Sequence, residues 1–231
     1  MILAVSMLIA VLGGKCNHGA PVSVVRLALD RPMNVSVVSE SPLIRVVEDF
    51  ISPEEATYLI QRYSELLARS PVISPEGGGK TEIHPARTSF TAFLPAGNEE
   101  TDPLLLEIER RAVALSGKPH SHMETLQLVR YEPPSQTYSA HFDYFLEKDV
   151  PSQRTTSIFV YLNDTQGEAP TRFPRLNLDV VPKTGKACTW ENCYARGSGI
   201  HCDDRTQHAG EPPSTATKYG LNIWFRTMPF R

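Results

Sequence analysis

The residues best suited to chemistry lie in one stretch, Tyr138-Ser-Ala-His-Phe-Asp-Tyr144. His141 and Asp143 stand two positions apart. On a β-strand, side chains i and i+2 project from the same face, so this spacing predicts an imidazole and a carboxylate entering one space side by side. A second histidine, His208, follows much later in Gln-His-Ala-Gly210. Two imidazoles and one carboxylate occupy one face of Fe(II) and leave the other positions open for co-substrate and oxygen. His-x-Asp alone arises often by chance, and its weight here comes from the chain around it.

The elements that must position these groups can be read from periodicity and punctuation. Residues 43–47 are rich in β-branched side chains and predict a strand. Ser52, Pro53 and Glu55 form a capping box with proline at the first helical position. Ala56, Leu59, Ile60, Tyr63, Leu66 and Leu67 follow at helical spacing, which predicts a helix to about Arg69. Asp102-Pro103 opens a second helix that runs to Gly117. Strands are predicted over 87–93, 126–131, the His141 stretch, 155–162, 172–174, 176–181, 187–190 and 218–226. Residues 16–41 show no strong period and read as a connector or a first edge strand. Residues 70–85, with three consecutive glycines, read as a loop able to close over a ligand. Two helices followed by many turn-linked strands predict an α+β architecture, an antiparallel sandwich or barrel buttressed by helices.

Composition sets the outer limits. The 231 residues are 41% hydrophobic and 21% charged, with a formal net charge of −3. Such a chain carries no basic stripe of the kind that binds nucleic acid. Nineteen prolines confine long helices to a few windows. Met1 to Leu12 is an uncharged apolar run, too short to span a bilayer comfortably. It reads as the core of a leader lacking the usual positive start, or as a buried element. Of the four cysteines, Cys188, Cys193 and Cys202 lie close to His201. They admit three readings: zinc ligands, a Cys193–Cys202 disulfide in an oxidising compartment, or unpaired thiols.

From Leu43 onward the chain resembles the prolyl 4-hydroxylases of the Fe(II)/2-oxoglutarate-dependent dioxygenase superfamily. The resemblance rests on Arg87-Thr-Ser, Val129-Arg-Tyr-Glu-Pro, Tyr138-x-x-His-x-Asp-Tyr-Phe145, the run from Arg154 to Asp164, Thr171-Arg-Phe-Pro174, Val181-Pro-Lys-Thr-Gly185, His208-Ala-Gly-Glu-Pro212, and Lys218 with Trp224, in order and with spacing kept. It implies a double-stranded β-helix (jelly-roll) core of mainly antiparallel strands buttressed by N-terminal helices. The catalytic domain would cover 43–231, preceded by a connector or edge strand at 21–42 and a leader at 1–20. His141, Asp143 and His208 would be the iron ligands, and Lys218 would hold the distal carboxylate of 2-oxoglutarate. Tyr131 and Thr171 would offer hydroxyls to that carboxylate, and Tyr138 and Arg154 would lie near a peptide substrate. Implied cofactors are Fe(II), 2-oxoglutarate and L-ascorbate. The implied partner is a proline-rich peptide or protein. No nucleic acid is expected, nor a stable membrane span beyond an N-terminal signal or anchor. The expected location is the endoplasmic reticulum or secretory pathway, or the cytoplasm if residues 1–12 are not a leader.

Physical reasoning bears on these assignments directly. Glu211-Pro-Pro-Ser-Thr is turn-rich, so the chain can reverse after His208 and bring Lys218 back toward it. A compact ammonium suits a carboxylate in a partly buried cleft, although a lysine at a strand end is ordinarily solvated. Tyr138, Tyr144 and Trp224 are aromatics able to line a proline-binding groove, and Trp224 also reads as plain core. Two departures from the family pattern stand out. The run Pro134-Ser-Gln-Thr-Tyr138 is one residue longer than the usual Gly-Gln-x-Tyr, and Gly167-Glu-Ala-Pro-Thr171 replaces Gly-Gly-Glu-Thr. The rival readings are a dioxygenase acting on another peptidyl residue or a small molecule, a catalytically inactive barrel-type binding module, and a zinc-stabilised interaction domain.

Overall fold

The computed structural model of the protein describes residues 22–25, 33–73, 81–98, 100, 102–147, 150–197 and 199–231. The leader reading, Cys16, His18 and the glycine-rich part of the 70–85 loop fall outside these residues. At the base of that loop, Val72–Ile73 pairs antiparallel with Thr81–Glu82.

Two antiparallel sheets face each other. The larger has nine strands, in the spatial order Val22–Val25, Met33–Glu40, Leu43–Glu48, Ala187–Glu191, Arg154–Tyr161, Lys218–Arg226, Gln127–Tyr131, Phe90–Phe93 and Ala68–Arg69. The smaller has four, in the order Leu178–Val180, Thr171–Phe173, His208–Gly210 and Tyr138–His141. The order interleaves distant parts of the chain, as a jelly roll requires. Strand alternation then decides which side chain goes where. Leu221, Ile223 and Phe225 join Ile158, Val160 and Leu128 on the outer face of the large sheet, against the helices. Phe159, Tyr161, Val129 and Tyr131 point the other way, toward Phe173 and Val180 of the small sheet. Arg154–Tyr161 is therefore buried on both faces, with only its first residue partly exposed.

The helices follow their sequence signals. Helix α1, Pro53–Tyr63, carries both halves of the Ser52–Glu55 capping box. Helix α2, Pro103–Ser116, is capped by the Asp102 side chain on the Leu105 amide and ends at Gly117 in the left-handed region, φ 68°. Leu59 and Ala56 of α1 and Leu105, Ile108 and Ala112 of α2 are fully buried in the outer core. Arg111 ties the two helices together through bonds of 2.7 and 2.9 Å to Glu55. Gly185 is needed where the chain turns at φ 82°, because a Cβ there would lie 2.2 Å from the Ile51 carbonyl oxygen.

One expectation needs correction, one is narrowed, and one element was not foreseen. Helix α1 stops at Tyr63, not Arg69: a 3₁₀ turn, Ser64–Leu66, follows, and Ala68–Arg69 leaves to pair with Thr91 and Phe90 at the sheet edge. Edge pairing outweighs the helical spacing of Leu66 and Leu67. Met33–Glu40 is a full strand paired with Leu43–Glu48. Cys193–Arg196 and Gly199–Cys202 form a hairpin that the short polar sequence did not announce. Among the described residues, no helix is long and apolar enough to cross a membrane.

Candidate active site

His141 closes one strand of the small sheet and His208 opens the neighbouring one. The ladder register sets them opposite each other, with ring centroids 4.3 Å apart. Asp143 arrives differently from the i, i+2 expectation. The strand ends at His141, and the chain bends so that Asp143 swings its carboxylate under both rings. Its Oδ1 lies 3.7 Å from His141 Nε2 and its Oδ2 lies 3.7 Å from His208 Nε2. One ligating atom from each of the three residues falls within 4.8 Å of the others.

The orientation of these groups is fixed by hydrogen bonds. His141 Nδ1 sits 2.8 Å from the Ser139 carbonyl oxygen, and His208 Nδ1 sits 3.0 Å from the Thr206 carbonyl oxygen. A carbonyl only accepts, so each Nδ1 carries the proton and each Nε2 presents a lone pair toward Asp143. Tyr138 stacks on His141 at 3.5 Å between centroids, and Trp190 meets His208 edge-on at 4.6 Å. Burial, reinforced by the neighbouring His208, pushes the His141 imidazole down to about 3, so it is neutral at neutral pH. Asp143 is held below the usual carboxylate range. Burial opposes its ionisation, and His208, His141, Arg154 and a hydrogen bond from Ser157 outweigh that opposition. Imidazole lone pairs and an ionised carboxylate, converging on one partly open point, form a donor set that fits a divalent metal such as Fe(II).

Beside the triad lies a cavity lined by Tyr131, Tyr138, His141, Thr171, His208 and Lys218, among others. Lys218 starts the strand Lys218–Arg226 directly opposite Tyr131. It is 1% exposed. Its Nζ donates to the Ala169 carbonyl oxygen at 2.6 Å and lies over the faces of Tyr131, Phe159 and Tyr161 at 5.4–5.8 Å. Among the described residues, no carboxylate comes within salt-bridge distance of it. Burial pushes its ammonium down to about 7, against the opposing pull of Glu211. Such a lysine favours an anionic ligand strongly, because the ligand supplies the missing counter-charge.

Tyr131 and Thr171 both border this cavity. Thr171 Oγ1 lies 2.8 Å from the Tyr161 hydroxyl, which is also 3.1 Å from the Val180 carbonyl oxygen. The extra residue before Tyr138 is absorbed in a turn closed by Gln136, which bonds Glu132 through both its backbone and its side chain. The Tyr131–Lys218 register is undisturbed by it. Arg154 lies close enough to Asp143 and Tyr138 for its charge to act on both. Its guanidinium binds Glu124 through two bonds of 2.6 and 2.8 Å and stacks 4.0 Å above Trp224. Trp224 is buried, in keeping with its reading as core.

Sequence reasoning missed Ser157, Asn192, Tyr161 and Glu124. Their roles depend on which strand lies opposite, and no local pattern carries that information. Cys193 and Cys202 are joined in a disulfide. The pair is therefore closed to zinc, and Cys188 is a separate buried thiol whose pKa burial drives up.

With this geometry in hand, comparison with known proteins is informative. The profile of the 2OG-Fe(II) oxygenase superfamily matches residues 126–226. Probable prolyl 4-hydroxylase 10 of Arabidopsis thaliana is 32% identical over 219 residues, covering 85% of this chain and 73% of the relative. Prolyl 4-hydroxylase subunit alpha-3 of Rattus norvegicus is 30% identical over 84% of this chain, which spans only 35% of that subunit's length. Among solved structures, the viral collagen prolyl hydroxylase from Paramecium Bursaria Chlorella virus-1, in its 2OG complex, superposes with a TM-score of 0.64. It is 23% identical and covers 83% of this chain and 99% of its own. A prolyl hydroxylase from Trichoplax adhaerens, in complex with a hypoxia inducible factor oxygen degradation domain peptide fragment, gives a TM-score of 0.58 at 14% identity, covering 79% of this chain and 82% of its own. The buried triad, the adjoining lysine-floored cavity and these relatives converge: the chain belongs to the prolyl 4-hydroxylase family of Fe(II)/2-oxoglutarate-dependent dioxygenases.

Proposed function

We propose that the chain hydroxylates peptidyl proline at C4 in extended, proline-rich peptides, with Fe(II), O2 and 2-oxoglutarate as co-reactants. One observation carries the reading: a buried ammonium without a carboxylate partner among the described residues shares a cavity with two oriented imidazoles. When bound, Fe(II) and 2-oxoglutarate supply the oxidising power needed to attack an unactivated C–H bond. The protein supplies placement. His141 and His208 present Nε2 and Asp143 a carboxylate as the iron ligands, while Lys218 takes the distal carboxylate of 2-oxoglutarate. Thr171 and Tyr131 offer hydroxyls beside it. Phe159 and Tyr161, packed around Lys218, keep water from that charge pair. L-ascorbate serves as the reductant that restores activity after uncoupled turnover.

The peptide would cross the Tyr138 side of the cavity, where an aromatic ring lies against His141. A polyproline II segment has no internal hydrogen bonds and enters such a groove at low ordering cost. The Cys193–Cys202 disulfide supports an oxidising compartment, the endoplasmic reticulum or secretory pathway, with the apolar run at residues 1–12 as a leader. The test is a length series of proline repeats with free proline as control. Longer repeats should bind progressively better. If they bind no better than free proline, or if only a globular protein is hydroxylated, the substrate class is wrong.

A further inference from the structure

One polar chain behind the triad is built for more than stability. Asp143 Oδ2 accepts a hydrogen bond of 2.6 Å from the Ser157 hydroxyl. Ser157 Oγ in turn accepts one of 2.8 Å from Asn192 Nδ2. All three residues are buried, at 5%, 1% and 0% exposure. Ser157 lies on the large sheet, whereas His141 and His208 lie on the small one, so the relay crosses the sandwich to reach Asp143. Asn192 follows Ala187–Glu191 and adjoins the disulfide-closed hairpin. Its backbone is pinned on both sides: its N–H donates to the Thr155 carbonyl oxygen at 2.7 Å, and its carbonyl accepts from the Asp203 N–H at 2.8 Å. Its side-chain Oδ1 has no hydrogen-bond partner among the described residues. Burying half an amide unpaired destabilises a fold, so stability alone does not account for an asparagine here. What the amide does accomplish is to orient the Ser157 hydroxyl, whose single proton then goes to Asp143.

This arrangement divides the two carboxylate oxygens. Each oxygen lies 3.7 Å from one imidazole, Oδ1 from His141 Nε2 and Oδ2 from His208 Nε2, but Oδ2 also accepts from Ser157 while Oδ1 accepts no hydrogen bond from the described residues. We propose that Asn192 and Ser157 are positioning residues that commit Asp143 to binding the metal through Oδ1 alone. A carboxylate free to turn can chelate with both oxygens and close one of the positions that an oxygenase needs open. Partners behind the ligands commonly set such details of coordination. The inference rests on the iron-ligand reading of His141, Asp143 and His208 and adds to it the control of how one ligand binds.

The test uses Mn(II) alone, added to the purified full chain, with water-proton relaxivity per bound ion reporting the number of coordinated waters. His208→Ala is the control for the underlying reading: it should lose Mn(II) binding, and unchanged binding would overturn the ligand assignment and the relay with it. Wild type should retain about three coordinated waters, the positions that a facial triad leaves open. Ser157→Ala should lose roughly one of the three, a drop in relaxivity of about a third, as Oδ2 turns onto the metal. Ser157→Thr, which keeps the hydroxyl, should stay at the wild-type value. Asn192→Ala should move relaxivity in the same direction by less. The Ser157→Ala/Asn192→Ala double variant should match Ser157→Ala, since Asn192 acts through Ser157. Equal relaxivity in wild type and Ser157→Ala overturns the proposal, as does a double variant in which the two losses add. Ser157→Ala and Ser157→Thr decide the matter even where Asn192→Ala fails to fold.

Discussion

Two buried charges in the same sandwich are treated in opposite ways. Glu124 is clasped by Arg154 and Arg226, whose Nε atoms both lie 2.6 Å from its Oε1. Burial works against its ionisation, and the two guanidiniums win, holding the carboxyl below its usual range. Lys218, even less accessible, has one carbonyl oxygen and three aromatic faces for company. Its pKa is pushed down to about 7 by burial. The first set neutralises itself and joins strand ends. The second keeps a cation beside the triad with no counter-charge from the described chain. Buried charge in this fold is structural where the chain supplies the opposite sign and functional where a ligand must bring it.

The sharpest way to break that comparison is to remove the centre of the functional region. His141→Ala, Asp143→Ala and His208→Ala should each abolish turnover while leaving secondary structure by circular dichroism intact, because two remaining ligands hold iron weakly at an open site. Near-normal activity in any of the three would mean that the ligand set is wrong.

The structural region should respond in the reverse manner. Glu124→Ala leaves two half-buried guanidiniums beside each other without their shared carboxylate and should cost about 3 kcal/mol of stability in a denaturant titration. At a temperature where the variant stays folded, its KM for 2-oxoglutarate should match wild type. A small stability change, or a large rise in KM, would erase the distinction between the two regions.

Lys218→Ala should do what Glu124→Ala does not. A charge-assisted bond to a carboxylate is worth about 1.5–3 kcal/mol, so the KM for 2-oxoglutarate should rise roughly ten- to hundredfold with metal affinity preserved. An unchanged KM would make Lys218 a structural residue after all.

Lys218 also predicts a dependence on pH. With the Lys218 pKa lowered from its usual 10.5 to about 7, the unfolded chain retains a proton that the native chain has released across that interval. Stability relative to Lys218→Met should therefore rise with pH from about 7 toward 10, and the penalty of the buried charge should be fully present below 7. Binding of 2-oxoglutarate should weaken as pH rises through the same interval, because it must then take up a proton. Flat difference curves would show that Lys218 is not buried as a cation.

The sequence was most legible where the information is local. The Ser52 capping box, the Asp102 cap and the Gly117 terminus fix both helix starts and one helix end. Alternation over 126–131 announces the strand Gln127–Tyr131, and the expected last strand is Lys218–Arg226. The family motifs led to the residues that meet at the cavity. What the sequence hid depends on partners far along the chain. Ala68–Arg69 leaves a helical pattern to pair with Thr91 and Phe90 at an edge. Asp143 reaches the imidazoles by a bend and not by strand alternation. Arg154 is legible as a cation of a family motif, but Glu124, its partner 30 positions earlier, appears only once the strands are folded together. Ser157 looks like an ordinary strand residue, and Asn192 like an ordinary turn residue, until Asp143 is brought against them.

The central claim is that this triad and this lysine make one oxygenase site for peptidyl proline. The most direct measurement follows succinate and 4-hydroxyproline together, using a proline-rich peptide and 2-oxoglutarate, with and without Fe(II). The account predicts both products in equal amounts, neither when Fe(II) is withheld, and roughly ten- to hundredfold less of both when Lys218→Ala is assayed at low 2-oxoglutarate. Succinate without hydroxyproline across a panel of such peptides, or hydroxyproline formed without Fe(II), would contradict it.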